Sequence, residues 1–227
     1  MQNIFITGGT GYIGSRLIKS LQKQGGFRIK ALIRKGSEHK APACCEIVSG
    51  NALEAISYQQ HIERGSSFIH LVGVAHPSPS KKEAFKQIDL VSVQQAVKAA
   101  KYAGVTHFIY LSVSQYPSGI MRDYQLVRAE GETLLKESGI ISTFIRPWYV
   151  LGPGHRWPVL LMPLYGIAKL FPSAREKAEK HGLVTINQMI ETLVYSVQNP
   201  PAANDVYEVE DIKTIRPQKL LVRPVIQ

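Results

Sequence analysis

Cysteine is scarce in this sequence, and the two cysteines among its 227 residues, Cys44 and Cys45, are adjacent. An adjacent pair cannot supply a framework of disulfide bonds, so we expect a reduced chain in the cytoplasm. No simple period dominates and 44 % of the residues are apolar, which excludes collagen, a coiled coil and a disordered polyelectrolyte. A globular chain with one sizeable core remains.

Long apolar runs are also missing. The longest, residues 158–171, is too short to span a bilayer and is interrupted by Pro163 and Gly166. The sequence begins directly with a β-strand pattern at residues 2–7, so we expect no secretory signal.

Acidic residues are few, with 17 Asp and Glu against 27 Lys and Arg, a formal net charge of +10. A field of this sign attracts phosphates on a nucleotide, a nucleic acid or a membrane, but it is equally typical of a solvated basic surface. The basic stretch 169–180 has apolar residues suited to a membrane interface, yet Pro172, Glu176 and Glu179 interrupt it. We therefore expect neither nucleic acid nor a membrane as a partner.

Short β-branched runs alternate with longer helical patterns along the chain. Strand patterns lie at residues 4–7, 29–33, 46–48, 67–72, 106–111, 141–146 and 206–209, and helical patterns at 12–24, 82–103, 124–137 and 187–197. This alternation predicts an α/β fold of the Rossmann type, a doubly wound parallel sheet with helices on both faces. Glycine and proline punctuate the sequence after Pro147, and the residues from about 213 onward resemble a tail.

The most specific motif is a glycine-rich turn between the first predicted strand and helix, Thr-Gly-Gly-Thr-Gly-Tyr-Ile-Gly at residues 7–14. Gly8 permits a tight turn, Gly11 lets a pyrophosphate approach the backbone, and Gly14 lets the helix pack closely on the sheet. Free amides at the helix N-terminus then bind phosphate oxygens, so this strand–turn–helix context favours dinucleotide binding over a merely tight turn. The cofactor-binding residues expected here are Gly8, Thr10, Gly11, Tyr12, Ile13 and Gly14. We predict a dinucleotide-binding domain at 1–154 and a small, loop-rich, substrate-covering region at 155–227 integrated with it.

Two bases follow the second predicted strand. Where an NAD site usually carries a carboxylate for the ribose hydroxyls, this sequence has Arg34 and Lys35. A guanidinium can bind a 2′-phosphate through parallel hydrogen bonds, although two solvated bases would also suit a strand end. We predict NADP, in preference to NAD, as the cofactor.

With the glycine-rich turn in place, the sequence resembles the short-chain dehydrogenase/reductase superfamily in its extended and atypical branches, which include epimerase- and dehydratase-like proteins. The similarity rests on the opening motif at 7–14, on His-Leu-Val-Gly at 70–73 and on Arg-Pro-Trp-Tyr-Val-Leu-Gly-Pro-Gly at 146–154. Asn51 stands where the family usually has an Asp, and Asp89 where it usually has an Asn. The further cofactor contacts that the resemblance implies are Asn51 at the adenine, Leu71, Val72 and Gly73 beside the cofactor, and Pro147 near the nicotinamide.

The family's chemistry uses a Tyr and a Lys four residues later. Here Tyr124 is followed by Arg128, one helical turn away on the same face. An arginine can supply the charge that activates a phenol and can bind the ribose hydroxyls, but it cannot relay a proton because it does not deprotonate. An alternative for Arg128 is a surface pair with a carboxylate such as Glu132.

The family also uses a Ser or Thr after the fifth strand. The resemblance puts Val113 at this position, so Ser114 or Ser112 would have to replace the hydroxyl, although neighbours along a strand point to opposite faces. The catalytic residues that the resemblance implies are Tyr124, Arg128 and Ser114.

Aromatic and basic side chains cluster after the sixth predicted strand, where ligands of parallel sheets lie. Trp148, His155, Arg156 and Trp157 combine two flat apolar surfaces with an imidazole and a guanidinium, which suits a planar or anionic substrate. The tryptophans equally suit a core, and Arg156 a solvated loop. His76, at the end of the fourth predicted strand, is a further candidate for the same cavity.

These features predict an NADP-dependent oxidoreductase of the atypical branch, which transfers hydride between nicotinamide and a small carbonyl or hydroxyl substrate. The short region after Pro147 favours a small substrate, or one bound partly at the interface of a homodimer. The altered Tyr–Arg pair supports a second hypothesis, a non-catalytic NAD(P)-binding redox sensor or an assembly or regulatory protein.

Overall fold

The described chain, residues 1–154 and 182–217 of a computed structural model, is built on one large parallel sheet. The strands are β1 (Gln2–Thr7), β2 (Phe27–Ile33), β3 (Glu46–Ser49), β4 (Ser67–His70), β5 (His107–Leu111), β6 (Ser142–Ile145), β7 (Tyr149–Leu151), β8 (Leu183–Thr185) and β9 (Asp205–Tyr207). Seven of them form the sheet in the order β3-β2-β1-β4-β5-β6-β9, and among the described residues β7 and β8 form a separate two-stranded sheet. The strand order reverses between β1 and β4, which opens a crevice at their carboxyl ends where ligands of such sheets bind.

Helices cover both faces of the sheet. They are α1 (Gly14–Gln24), the single turn α2 (Lys82–Ala84), α3 (Val91–Ala103), α4 (Arg122–Ser138), α5 (Ile186–Gln198) and α6 (Val209–Thr214), and a π-helical segment, Phe85–Leu90, joins α2 to α3. The predicted doubly wound α/β fold is confirmed.

Two apolar clusters fill the space between the sheet and the two helical layers. Because successive side chains of a strand point to opposite faces, Ile4 and Ile6 pack with α1 and α5, whereas Phe5 packs with α3 and α4. The second cluster contains a row of rings across the sheet, with Phe68 lying 5.4 Å from Phe5 and 4.8 Å from Phe108 between centroids.

The structure corrects several predicted boundaries. The fourth strand ends at His70 rather than at residue 72, because the chain then leaves the sheet toward the crevice. The predicted helix 82–103 is divided by the π-helical segment. The last strand ends at Tyr207, since Glu208 caps the short helix α6 together with Asp211, and the predicted tail begins inside that helix.

The pair β7–β8 lies in a stretch that the sequence predicts to be loop-rich. Each strand has three residues, with Tyr149 opposite Leu183, and so is too short for a readable period. Within the described residues, no helix is both long and apolar enough to cross a membrane.

Candidate nucleotide-binding and catalytic site

The turn between β1 and α1 leaves no room for side chains at two of its glycines. Gly8 has a φ of +78°, and a Cβ there would lie 2.9 Å from the carbonyl carbon and oxygen of Leu71. A Cβ on Gly14 would overlap the carbonyl oxygen of Gly8. Gly11 donates its amide to this oxygen at 3.0 Å and closes the turn. The turn is therefore a cradle of bare backbone.

Helix α1 begins without a side-chain cap, although the amides of Ser15, Arg16 and Leu17 donate to the carbonyl oxygens of Gly11 and Ile13. Ile13, the residue before the helix, makes no side-chain cap, and the first helical turn carries no acidic residue. A helix N-terminus of this kind favours an anion, because the positive end of the helix dipole lies there. Gly11 is exposed and Thr10 half-buried beside it. The cradle therefore fits the diphosphate of a dinucleotide, whose oxygens can reach several amides at once.

Tyr12 holds the turn against the end of β7. Its hydroxyl lies where a side chain on Gly152 would have to be, and the Arg16 guanidinium stacks over its ring at 4.1 Å. Arg16 also donates to the Tyr12 carbonyl oxygen at 2.8 Å. The aromatic ring is thus fixed on both sides at the edge of the cradle.

The bases predicted to bind a 2′-phosphate, Arg34 and Lys35, are exposed directly after β2. Since β2 neighbours β1, they stand at the same edge of the sheet as the cradle. Asn51, beyond β3, builds a local turn, in which its Oδ1 accepts the amide of Leu53 at 3.1 Å and its Nδ2 donates to Glu54 at 2.9 Å. Contact between Asn51 and adenine stays a prediction.

Residues 71–74, hereafter the β4 loop, directly follow β4 and lie against the cradle. The amide of Leu71 donates to the Thr7 carbonyl oxygen at 3.2 Å, and its carbonyl group lies against Gly8. Val72 is half-buried and Gly73 is exposed. The structure thus brings two groups of predicted cofactor residues, separated by some sixty positions, into contact.

Tyr124 and Arg128 lie on one face of α4, with the guanidinium carbon 5.2 Å from the centre of the Tyr124 ring. Tyr124 is half-buried, whereas Arg128 is only 4 % exposed. Arg128 Nη2 donates to Asp89 Oδ1 at 2.6 Å, and its Nη1 donates to the Leu111 carbonyl oxygen at 3.0 Å. The partner of Arg128 is therefore Asp89 and not Glu132, and the pair is buried. Contact of Arg128 with the ribose hydroxyls stays a prediction.

Glu132, one turn further along α4, belongs to a second buried network. Its carboxylate accepts the Ser112 hydroxyl at 2.6 Å and also Arg146, through Nε at 2.8 Å and Nη2 at 2.5 Å. Arg146 Nη1 then donates to Glu208 at 2.7 Å. This network joins α4 to the ends of β5, β6 and β9. The Ser112 hydroxyl donates to Glu132 in this network, so it points to Glu132 rather than to Tyr124.

Ser114, the predicted hydroxyl of the catalytic set, is buried after the end of β5. Its amide donates to the Pro147 carbonyl oxygen at 3.0 Å, so the segment that follows β6 lies directly beside it. Val113 is also buried, at 4 % exposure. A catalytic role for Ser114 stays a prediction.

Sequence reasoning misses Gln125, which organises the segment between β5 and α4. Its Nε2 donates to the carbonyl oxygens of Ser114 at 2.6 Å and Tyr116 at 2.7 Å, and its Oε1 accepts the Ser118 amide at 3.1 Å. Gln125 directly follows Tyr124, so it fixes the loop that leads to the phenol. A polar residue on the buried side of a helix is the signal that could have identified it.

The structure describes only some of the predicted substrate residues. Trp148 is half-buried and packs against the apolar cluster beneath α1 and α5. His76 is exposed with a φ of +50°, in a loop whose carbonyl oxygens accept two hydrogen bonds from Lys81. His155, Arg156 and Trp157 lie outside the described residues, as does the basic stretch 169–180.

A buried histidine underlies the crevice. His70 Nδ1 lies 2.8 Å from the Thr7 hydroxyl and its Nε2 lies 3.1 Å from the Ser92 hydroxyl. Burial, together with the nearby Arg128 charge, lowers the pKa of His70 to about 3. The imidazole is therefore neutral near pH 7 and acts as a hydrogen-bonding link between β1, β4 and α3.

Comparison with known proteins identifies the family. The profile of a family described as NAD(P)H-binding matches residues 8–156, which span the cradle, the β4 loop and α4. The chain belongs to this family. A UDP-glucose 4-epimerase from Vibrio cholerae is 25 % identical over 92 % of this chain and 71 % of its own length. A ceramide reductase from Caulobacter vibrioides is also 25 % identical, over 74 % of this chain and 53 % of its own length.

The fold of this NAD(P)H-binding protein has a close counterpart among solved structures. The enzyme WbmH of Bordetella bronchiseptica, determined with NAD⁺, superposes with a TM-score of 0.67 at 17 % identity, over 92 % of this chain and 75 % of that one. The predicted membership of the short-chain dehydrogenase/reductase superfamily, in its extended or atypical branch, is confirmed.

Proposed function

We propose that this chain is an NADP-dependent oxidoreductase that acts on a small carbonyl or hydroxyl substrate. The observation that carries the proposal is the half-buried Tyr124 on α4, with the Arg128 cation 5.2 Å from its ring, in a fold whose nucleotide cradle is bare. An epimerase and a reductase are among the relatives, which supports redox chemistry at the nicotinamide. The nicotinamide, when bound, supplies or accepts a hydride.

The chain's own part in this reaction is proton exchange. Tyr124 Oη would exchange a proton with the substrate oxygen, since a phenol beside a fixed cation can serve as both donor and acceptor. Arg128 would supply charge and no proton, because a guanidinium does not deprotonate. The phenol must therefore exchange its own proton with solvent or with substrate directly.

Tyr124→Phe is expected to lower kcat by a factor of about 10²–10⁴ while leaving nucleotide affinity unchanged, because only the proton-exchanging oxygen is removed. Turnover is measured by NADPH absorbance with a panel of aldehydes and ketones. Tyr102→Phe is the matched control, since Tyr102 is 68 % exposed on α3. Unchanged turnover in the Tyr124 variant on every accepted substrate would refute the mechanism.

The preference for NADP is supported by Arg34 and Lys35, two exposed cations at the edge of the sheet that carries the cradle. The double variant Arg34→Ala/Lys35→Ala should bind NADPH about 10–100-fold more weakly, because a charge-assisted hydrogen bond contributes about 1.5–3 kcal/mol. NADH binding should change little. Calorimetry with both nucleotides measures the effect, and Lys98→Ala/Lys101→Ala removes the same charge from exposed positions on α3. Equal weakening of NADPH binding in both double variants would mean that the net charge of the protein, and not a contact with the 2′-phosphate, sets the affinity.

The substrate would lie over the carboxyl edge of the sheet, near Trp148, with His155, Arg156 and Trp157 as further candidates. Two tryptophan rings, an imidazole and a guanidinium suit a small planar or anionic molecule.

A homodimer would complete the substrate pocket if the pocket is open to solvent in a single copy of the chain. Sedimentation measurements with and without nucleotide test this arrangement.

A second candidate function, a non-catalytic NAD(P)-binding sensor or assembly protein, is favoured by three observations. Arg128 is engaged by Asp89, Ser112 by Glu132, and Val113 stands where the family has a hydroxyl. Bound NADPH that no substrate in the panel oxidises, together with a partner that co-purifies in constant ratio, would favour this function. Measurable turnover that depends on Tyr124 would exclude it.

A further inference from the structure

The π-helical segment Phe85–Leu90 touches both residues of the Tyr–Arg pair. At one end, the Phe85 ring lies 4.9 Å from the Tyr124 ring between centroids. At the other end, the fully buried Asp89 meets Arg128. A π-helical turn contains an extra residue that redirects the side chains after it, and such turns are frequent at functional sites. The irregularity here aims a carboxylate beneath the crevice.

Asp89 accepts two hydrogen bonds that need two acceptor oxygens. Oδ1 accepts from Arg128 Nη2 at 2.6 Å, and Oδ2 accepts from the backbone amide of Val74 at 3.0 Å. Both partners are donors only, so an asparagine of the same shape could satisfy one and would turn its NH₂ group toward the other. The ionised carboxyl is therefore specific to this arrangement.

The Val74 amide belongs to the β4 loop, and Gly73 of this loop lies directly over the ion pair. A Cβ on Gly73 would overlap Arg128 Nη2 and lie 3.0 Å from Asp89 Oδ1. Arg128 is tied on its other side to the Leu111 carbonyl oxygen at 3.0 Å. The Asp89–Arg128 pair thus connects the β4 loop, the end of β5 and the helix that carries Tyr124.

Water is excluded from this connection. The side chains of Asp89 and Arg128 are 0 % and 5 % exposed. A buried charge without its partner is far less stable than the pair, so the carboxylate and guanidinium hold each other in one arrangement. The β4 loop, whose residue Gly73 is exposed, is held to this pair through the Val74 amide.

We infer that Asp89 is a positioning residue of the site: it fixes the β4 loop and Arg128 together by accepting one hydrogen bond from each. The inference rests on the proposed function, which puts the nicotinamide beside Tyr124. The β4 loop reaches this place through Gly73, which lies against Arg128, the neighbour of Tyr124. Loss of Asp89 should therefore weaken contacts at the nicotinamide half and spare the adenosine half. The predicted contacts of the adenosine half are Arg34, Lys35 and Asn51.

The test compares a whole nucleotide with its adenosine fragment. The probes are whichever of NADPH and NADH the unchanged protein binds more tightly, and the matching fragment, adenosine 2′,5′-bisphosphate or ADP, both titrated calorimetrically. Asp89→Asn is expected to bind the whole nucleotide about 10–100-fold more weakly, as for a lost charge-assisted bond, and the fragment within about twofold. Retained fragment binding also reports that the variant is folded.

Glu132→Gln is the matched control, because it removes the charge of a second buried carboxylate, paired with Arg146, without touching the β4 loop. It is expected to bind both ligands like the unchanged protein. Val74→Pro removes the amide donor and leaves both charged side chains in place, although it also fixes φ at residue 74 and restricts Gly73, so it tests the inference if Asp89→Asn does not fold. It should weaken the whole nucleotide and not the fragment.

Two results would overturn the inference. One is whole-nucleotide binding within about threefold of the unchanged protein in both Asp89→Asn and Val74→Pro. The other is an equal loss of nucleotide and fragment in these variants, which indicates general destabilisation. Failure of the unchanged protein to bind any pyridine nucleotide is a different outcome and would refute the proposed function itself.

Discussion

Gly14→Ala is expected to abolish nucleotide binding. The added Cβ would overlap the carbonyl oxygen of Gly8 and would lie 3.0 Å from the Gly9 Cα. The start of α1 must then move away from β1, which separates the helix amides from the cradle. Loss of two amide–phosphate hydrogen bonds costs about 3–6 kcal/mol, an affinity loss of more than about 100-fold. The strain also destabilises the fold by about 1–3 kcal/mol.

Calorimetry with NADPH and with NADH measures this loss, and thermal unfolding shows how much of it comes from the fold. Gly119→Ala is the control, since a Cβ at Gly119 would meet open space. A Gly14 variant that is folded and binds either nucleotide as tightly as the unchanged protein would remove the basis for placing the diphosphate in the cradle.

Acid is expected to destabilise the fold through two buried histidines. Burial lowers the pKa of His107 to about 4, and burial with the Arg128 charge lowers that of His70 to about 3. In the unfolded chain both return to about 6.5, so unfolding takes up protons below that pH. The two histidines' contribution to the free energy of unfolding is retained above about pH 6.5 and is lost as the pH falls. Between pH 7.5 and pH 5, the loss for the pair is about 4 kcal/mol.

The measurement is the free energy of unfolding in urea at these two pH values. His70→Asn and His107→Asn should each remove about half of the pH-dependent loss, whatever they do to stability at pH 7.5. His39→Asn is the control, because His39 is exposed. An unaltered pH dependence in the double variant would show that other groups cause the acid sensitivity.

The elements of the sheet were predictable because their signals are local. Ile4, Phe5 and Ile6 alternate between the two faces, and both faces are covered by helices, so the strand reads as a continuous apolar run. The π-helical segment was not predictable, since its apolar spacing differs little from that of a regular helix. The β7–β8 pair was missed because strands of three residues carry no period.

The candidate site was predictable to a different degree at each position. Gly8 and Gly14 could be identified because a backbone without side chains is required by the turn itself. The role of Gln125 depends on where the segment after β5 runs, which no neighbouring residue encodes. Tyr124 and Arg128 could be paired from their spacing, but the environment of Arg128 could not.

The sequence by itself determined the α/β class, the parallel sheet and the glycine-rich turn before the first helix, because each follows from residues adjacent in the chain. Only the tertiary structure decided that Arg128 is bound by Asp89, which lies 39 positions away. Two residues so far apart meet through the packing of α4 beside the π-helical segment. Whether a cation faces solvent, a ligand or a buried carboxylate depends on that packing, and the burial that results sets the strength of the interaction.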